Sequence, residues 1–248
     1  MKIFLSILFG ACLLVGFVGC KTEAETIDVT KYYLTGKVQP KYGTSNLFLD
    51  SVYVTPEGYD IKFTDIKFYI QDLKDSTKTI VDAGLFNYRM SNQLFRVEGK
   101  PDGITSLVGN IGVDAFINHQ DPSSFPNESP LNIAISNDMH WGWSPGYIFL
   151  KVEAKVDTIP DGIALFDHSV IFHVGLDANL QQKTFNTLTW VPLTGLEQVL
   201  NFELDMRVFL SGPQPIDVKF EHSTHSSAGQ EALTLKVAQN FAAALTSL

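Results

Sequence analysis

Residues 60–70 read DIKFTDIKFYI, and this stretch alternates apolar and polar side chains with the two-residue period of a β-strand. The apolar residues lie on one face up to Phe63 and on the opposite face from Ile66 onward. A β-bulge or a strong twist between these positions produces such a change of face. We therefore predict a strand with a bulge or twist near its middle.

Similar stretches follow along the chain, and Pro and Gly separate many of them. The predicted strands cover residues 33–38, 46–54, 79–82, 93–97, 106–113, 147–156, 169–174, 183–191 and 198–209. Short strands with turn signals between them are typical of a sandwich or barrel. After Gly229, the apolar residues Leu233, Val237, Phe241 and Leu245 follow helical spacing. We expect an all-β fold, an antiparallel β-sandwich with a short C-terminal helix.

The N-terminal residues are typical of a bacterial lipoprotein signal peptide. Lys2 precedes an apolar stretch that ends at Gly19 and Cys20. The alternative, a membrane helix, needs about 20 apolar residues, and this stretch is shorter. We expect export and lipidation at Cys20, with attachment to the outer membrane on its periplasmic or surface face. The expected segments are the signal peptide 1–20, a flexible tether 21–31 and a β-sandwich domain 32–248.

Cysteine use and charge restrict the classes of function. The second cysteine, Cys12, lies inside the expected signal peptide, so the exported chain would have no disulfide. The chain has 18 Lys and Arg against 27 Asp and Glu, a net charge of −9. An acidic protein repels nucleic acid and anionic membrane surfaces. We therefore expect no nucleic-acid partner and membrane contact through the lipid anchor only.

Signatures of catalysis are absent from the sequence. It contains no Gly-rich phosphate loop, no G-x-S-x-G, no H-E-x-x-H and no C-x-x-C. The carboxylates of Asp121 and Glu128 lie in a long loop, residues 118–130, with three prolines. A loop of this length is ordered by what it packs against or binds. We expect a binding protein, not an enzyme.

Histidines and tryptophans are concentrated instead. Five of the six histidines fall in three short segments, residues 139–147, 167–175 and 221–226. The first segment also contains Met139, Trp141 and Trp143. Imidazole and thioether groups suit copper, and Cu(I) accepts two or three such ligands. If the strand after Trp143 pairs with the strand that carries His173, then His140 and His173 would meet at one end of a sheet.

The same residues also have ordinary structural interpretations. A histidine on an apolar strand, such as His173, is typically a hydrogen-bonded core residue. Trp141 and Trp143 share one face of a strand, where burial in the core is the usual outcome. His222 and His225 lie in a polar stretch, where solvated side chains are expected.

Residues 139–153, MHWGWSPGYIFLKVE, resemble the MbnP family of methanobactin-associated periplasmic proteins. Residues 112–115 (GVDA), Asn118 and residues 172–175 (FHVG) extend the resemblance, which runs from about Lys31 to the C-terminal helix. It implies a secreted or surface β-sandwich that binds one copper ion. It also implies that histidines and a tryptophan oxidised to kynurenine hold the copper, and that a MauG-like dihaem partner performs the oxidation.

By position, the resemblance implies that Trp141 or Trp143 is the oxidised residue and that His140 and His173 are ligands of Cu(I). His225, just before the C-terminal helix, is a further candidate ligand. Indole offers a metal only a π-face and a donor N–H. Opening its ring gives an aniline nitrogen and a carbonyl oxygen, whose lone pairs can bind copper.

Two other functions stay open on the sequence alone. One is a structural or adhesive surface protein without metal. The other is a carbohydrate-binding module or hydrolase, because exposed tryptophans stack on sugar rings. Metal uptake by the purified protein distinguishes these alternatives from copper binding.

Overall fold

The structure, a computed structural model, describes residues 31–142, 145–159, 161–193 and 195–248. Its strands are β1 (Tyr33–Tyr42), β2 (Ser45–Asn46), β3 (Tyr53–Val54), β4 (Asp60–Lys74), β5 (Thr79–Asn87), β6 (Gln93–Glu98), β7 (Ser106–Ile111), β8 (His140–Gly142), β9 (Gly146–Asp157), β10 (His168–Gly175), β11 (Gln181–Asn186), β12 (Trp190–Pro192), β13 (Glu197–Asp205), β14 (Ser223–Thr224) and β15 (Leu245–Ser247). The α-helices are α1 (Ala115–Asn118), α2 (Ile133–Ser136), α3 (Met206–Ser211) and α4 (Glu231–Ala244). The predicted signal peptide with Cys20, and the predicted tether up to residue 30, lie outside the described residues, as does Trp143.

Within these residues the strands form two sheets that share one apolar core. The six-stranded sheet has the order β12-β13-β1-β2, with β15 on β13 and β6 on β1. The nine-stranded sheet has the order β11-β7-β4-β9-β10-β14, with β3 and β5 on β4 and β8 on β9. The predicted all-β sandwich is thus confirmed. Most pairs are antiparallel, but β1 with β13 and β10 with β14 are parallel, which the sequence pattern did not predict.

The predicted change of face in residues 60–70 is confirmed as a bulge in β4. The register of β4 against β9 shifts between Phe63 and Asp65. Phe63 before the shift and Ile66 after it both belong to the core between the sheets. The bulge therefore keeps apolar residues pointing inward along the whole strand and turns Lys67 to the outer face.

The outer face of β4 is covered by the chain between residues 112 and 142. Tyr69 donates its hydroxyl hydrogen to the Pro130 carbonyl over 3.0 Å, and the Gln71 amide donates to Asp114 over 2.7 Å. A second apolar cluster, which includes Tyr69, Met139 and Tyr147, lies under this cover. The long loop of residues 118–130 is therefore ordered by packing on the sheet.

The predicted C-terminal helix is confirmed as α4. Its residues Val237 and Phe241 are fully buried, and the Phe241 ring lies 5.2 Å from that of Phe68 between ring centroids. The prediction of a strand up to residue 209 is wrong at its end, where α3 forms instead. The Asp205 carboxylate accepts hydrogen bonds from the backbone N–H groups of the first turn, which starts the helix there. No helix in the described part of the chain is long and apolar enough to cross a membrane.

Candidate metal centre

His173 lies on the outer face of the nine-stranded sheet. It is on β10, directly opposite Lys151 of β9, and its side chain is 16 % exposed. Its Nε2 atom lies 2.8 Å from Oε1 of Glu153. A carboxylate can only accept, so Nε2–H of His173 is the donor. The lone pair of a neutral His173 is therefore on Nδ1.

His225 is brought to His173 by the parallel pairing of β14 with β10. In that register Phe172 lies opposite Thr224, so the residue that follows each of them in the chain is a histidine. The two imidazole rings are 4.9 Å apart between centroids, at an angle of 77°. The sequence placed His225 in a polar stretch, and its ring is exposed; the contact with His173 comes from the strand pairing alone.

The turn that carries His225 is fixed by hydrogen bonds on both sides. The Gln230 side chain accepts from the His225 backbone N–H over 2.9 Å. The Ser226 hydroxyl donates to the His173 carbonyl over 3.3 Å and accepts from the Gly175 N–H over 3.0 Å. These hydrogen bonds therefore fix the backbone at both histidines.

Trp141 lies on Gly175, two residues beyond His173. A Cβ atom added to Gly175 would come within 2.6 Å of Cζ3 of the indole, so the missing side chain makes the space that the ring occupies. Because Ser226 hydrogen-bonds to Gly175 and to the His173 carbonyl, the indole lies beside the segments that hold both histidines. Trp141 is partly buried.

His140 has different surroundings. It precedes Trp141 on β8, so the two side chains leave the strand in opposite directions. Its ring lies 4.8 Å from that of Tyr147 between centroids. Its Nδ1 accepts the Gly142 N–H over 3.1 Å, and within the described residues its buried Nε2 has no hydrogen-bond partner. Burial lowers the pKa of His140, with Asp121 acting in the opposite direction.

From the sequence, His140 and His173 were expected to meet if the strand after Trp143 paired with the strand that carries His173. This pairing is present, since β9 pairs with β10. The consequence differs from the expected one. The pairing brings Trp141 onto Gly175, and the ring that contacts His173 belongs to His225. Of the predicted site residues, the structure thus brings His173 and His225 into ring contact and places Trp141 on Gly175, two residues beyond His173.

Asn118 and Gly146, two residues of the family-like motif, position the start of β9. The side-chain oxygen of Asn118 accepts from the Tyr147 backbone N–H over 2.7 Å, and the side-chain NH₂ group of Asn118 donates to the Asp177 carboxylate over 2.8 Å. Gly146 has φ +75°, and an added Cβ would meet the Asn118 side chain at 2.3 Å. Only glycine fits this close approach, which leads the chain from β8 back into β9.

Sequence reasoning missed the charged group beneath this site, here called the Lys151 network: Asp65, Lys67, Asp138, Lys151 and Glu153. The Lys151 ammonium lies 3.2 Å from Asp65, 3.0 Å from Asp138 and 3.3 Å from Glu153. Lys67 bridges the same two aspartates. The alternation of β4 and β9 places Asp65, Lys67, Lys151 and Glu153 on the outer face, but only the fold shows that Asp138 of the covering segment reaches them.

The network determines the charge states at the site. Burial alone would raise the pKa of Glu153, but the hydrogen bond from His173 and the charge of Lys151 outweigh it and the pKa is lowered. Burial lowers the pKa of His173 below its usual 6.5 although Glu153 acts against it. At neutral pH His173 is therefore a neutral imidazole beside an ionised carboxylate.

The chain is similar to one family of known proteins. The chain matches the family model described as MbnP over residues 31–228. Among solved structures it is similar to MbnP from Methylosinus trichosporium, with 17% sequence identity, a TM-score of 0.46, and coverage of 72% of this chain and 76% of that one. A comparison with curated proteins found no match.

Replacing Glu153 by Gln should lower the pKa of His173 further, because the carboxylate charge that favours the protonated imidazole is removed while its size is kept. A proton NMR titration of the His173 ring measures this pKa. Glu128→Gln, in the exposed loop, is the matched control and should leave it unchanged. An unchanged or higher pKa in Glu153→Gln would show that the carboxylate does not hold His173 as described.

Proposed function

The chain belongs to the MbnP family, and on that premise we propose that it is an exported, lipid-anchored protein that binds Cu(I) through His173 and His225. The contact between these two rings, 4.9 Å between centroids, is the observation that carries the proposal. Cu(I) accepts two or three ligands, and imidazole suits it. The protein would bind the ion without turnover.

The nitrogen that faces the copper follows from the hydrogen bonds. Nε2 of His173 is occupied by Glu153, so Nδ1 is the atom available to the metal. A ligand histidine that donates its other N–H to a carboxylate is the usual arrangement at metal sites, because it fixes the tautomer and raises the basicity of the ligand. The residues present therefore fit a copper ion.

We assign a third donor of the proposed site to Trp141. Among the described residues, no three His, Cys, Asp or Glu side chains are grouped to hold a metal ion. With metal–nitrogen bonds of about 2.0 Å, two rings this close would approach one ion from adjacent directions and leave a third position open. Trp141, beside them, is the residue we propose to supply that donor after oxidation.

The oxidation would convert the Trp141 indole into kynurenine. Cleavage of the C2–C3 bond of the ring adds both atoms of one O2 molecule, which is the oxidant, and hydrolysis by one water then releases the formyl carbon as formic acid. The product has gained one oxygen and lost one carbon. Its aniline nitrogen has a lone pair that indole lacks. The resemblance to the family implies the proposed catalyst of this oxidation, a MauG-like dihaem partner.

His140 is a weaker candidate than His225 on this geometry. Its Nδ1 lone pair accepts the Gly142 N–H, which places the hydrogen of a neutral ring on Nε2. The only lone pair of such a ring is therefore already engaged by the Gly142 N–H. We propose that His140 supports the turn between β8 and β9, and that His173 and His225 are the histidine ligands.

Replacing His173 or His225 by Asn should remove one tightly bound equivalent of Cu(I). The loss in affinity should exceed the roughly 10–100-fold that removal of an outer-shell partner costs. Anaerobic competition with a chromogenic Cu(I) chelator measures it, and the melting temperature of the metal-free variants reports whether they fold. His140→Asn and the exposed His119→Asn are the controls and should retain that equivalent. Loss of it in His140→Asn, with retention in His173→Asn and His225→Asn, would overturn the site.

Mass spectrometry of the protein from its own host should find two modifications. The N-terminal residue should be a lipid-modified Cys20, because the apolar leader ends in Gly-Cys. The peptide that contains Trp141 should show one oxygen gained and one carbon lost. The peptide with Trp190, whose indole N–H donates to the Ile104 carbonyl over 3.1 Å, is the internal control and should be unmodified. A free or uncleaved N-terminus would contradict the anchor, and two unmodified tryptophans at 141 and 143 would contradict the oxidation.

A further inference from the structure

A second pair of histidines lies on the same two strands. His168 begins β10, and His222 immediately precedes β14. Their rings are 4.4 Å apart between centroids, at an angle of 68°. The backbone N–H of Ile171 donates to the His222 carbonyl over 2.8 Å, which fixes the position of His222 along β10. The parallel pairing that joins His173 to His225 thus joins another pair of histidines at its opposite end.

The second pair is separate from the first. His168 and His173 are five residues apart on one strand, so their side chains leave opposite faces of the sheet. The flanking residues agree, since Val170 and Phe172 share the parity of His168 and belong to the core between the sheets. His168 therefore lies at the rim of the core side, away from Trp141 and the Lys151 network.

The hydrogen bond of His168 determines which of its nitrogens carries the lone pair. Nε2 of His168 lies 3.2 Å from the Val218 carbonyl oxygen, which can only accept, so this nitrogen carries the hydrogen. The lone pair of a neutral His168 is then on Nδ1. A histidine that donates one N–H to a backbone carbonyl has the tautomer and orientation typical of a metal ligand.

His222 presents an atom that nothing else in the described structure uses. Its Nδ1 is buried and has no hydrogen-bond partner among the described residues. Buried polar atoms are nearly always paired, and an unpaired one in a native fold calls for an unseen water, ion or functional role. The ring that carries this atom is in contact with the ring of His168.

We propose that His168 and His222 form a second site, which binds Cu(I) through the Nδ1 atoms of both residues. Two carboxylates adjoin the pair in sequence: Asp167 is exposed, and Glu221 is engaged by the Lys236 ammonium at 2.6 and 2.8 Å. The imidazole nitrogens are therefore the donors on which the site depends. Zn²⁺ takes four protein ligands in structural sites and three protein ligands plus a water in catalytic sites, whereas two or three ligands suffice for Cu(I). The ligand set therefore favours Cu(I).

Anaerobic titration of the metal-free protein with Cu(I), against a chromogenic chelator, tests the stoichiometry. The protein without substitutions and the His119→Asn variant should each bind two equivalents of Cu(I). The double variant His168→Asn/His222→Asn should bind one, and so should His173→Asn/His225→Asn. If the protein without substitutions binds one equivalent and His168→Asn/His222→Asn still binds it, this proposal is overturned. If the protein without substitutions binds one equivalent that is lost in His168→Asn/His222→Asn and kept in His173→Asn/His225→Asn, the second site is supported and the proposed function is contradicted.

A measurement without substitution covers the case in which the double variant fails to fold. Ag(I) is a redox-inert probe for Cu(I), and long-range ¹H–¹⁵N NMR of the unmodified protein resolves the two nitrogens of each ring. Addition of Ag(I) should shift the Nδ1 resonances of both His168 and His222. Shifts confined to the rings of His173 and His225, or a shift of Nε2 in His168, would overturn the second site.

Discussion

The Lys151 ammonium holds the two sides of the candidate copper site together. Its side chain is only 11 % exposed, and burial alone would lower its pKa. Hydrogen bonds to Asp138 and Asp65, with the nearby charge of Glu153, outweigh burial, so the pKa is raised and the lysine stays charged. A buried cation of this kind is stable only with such partners, and loss of one partner typically costs about 3–5 kcal/mol.

Two of these partners lead directly to the site. Asp138 belongs to the covering segment, two residues before His140 and three before Trp141, so its contact with Lys151 anchors the segment that places the indole on Gly175. Glu153 holds Nε2 of His173. A charge that is expensive to bury thus specifies the position of the covering segment and the tautomer of His173. The apolar core alone would leave both undetermined, because hydrophobic contact has no preferred direction.

The local pattern predicted most of the fold but little of the site. The bulge in β4 and helix α4 could be predicted because each follows from the spacing of apolar residues that are close in sequence. For the bulge, these residues are Phe63 and Ile66. The parallel pairing of β10 with β14 joins residues about fifty positions apart, and no local period records it. For this reason the sequence suggested His140 as the partner of His173, whereas the ring that contacts His173 is that of His225. The pairing of His168 with His222 was missed for the same reason, although both residues lie in the histidine-rich segments.

Anomalous diffraction at the copper edge, from crystals loaded with Cu(I), tests the central claim most directly. We expect a strong peak bonded to Nδ1 of His173 and to the ring of His225, on the side where Trp141 lies over Gly175. A peak bonded to His140, with no density between His173 and His225, would contradict it.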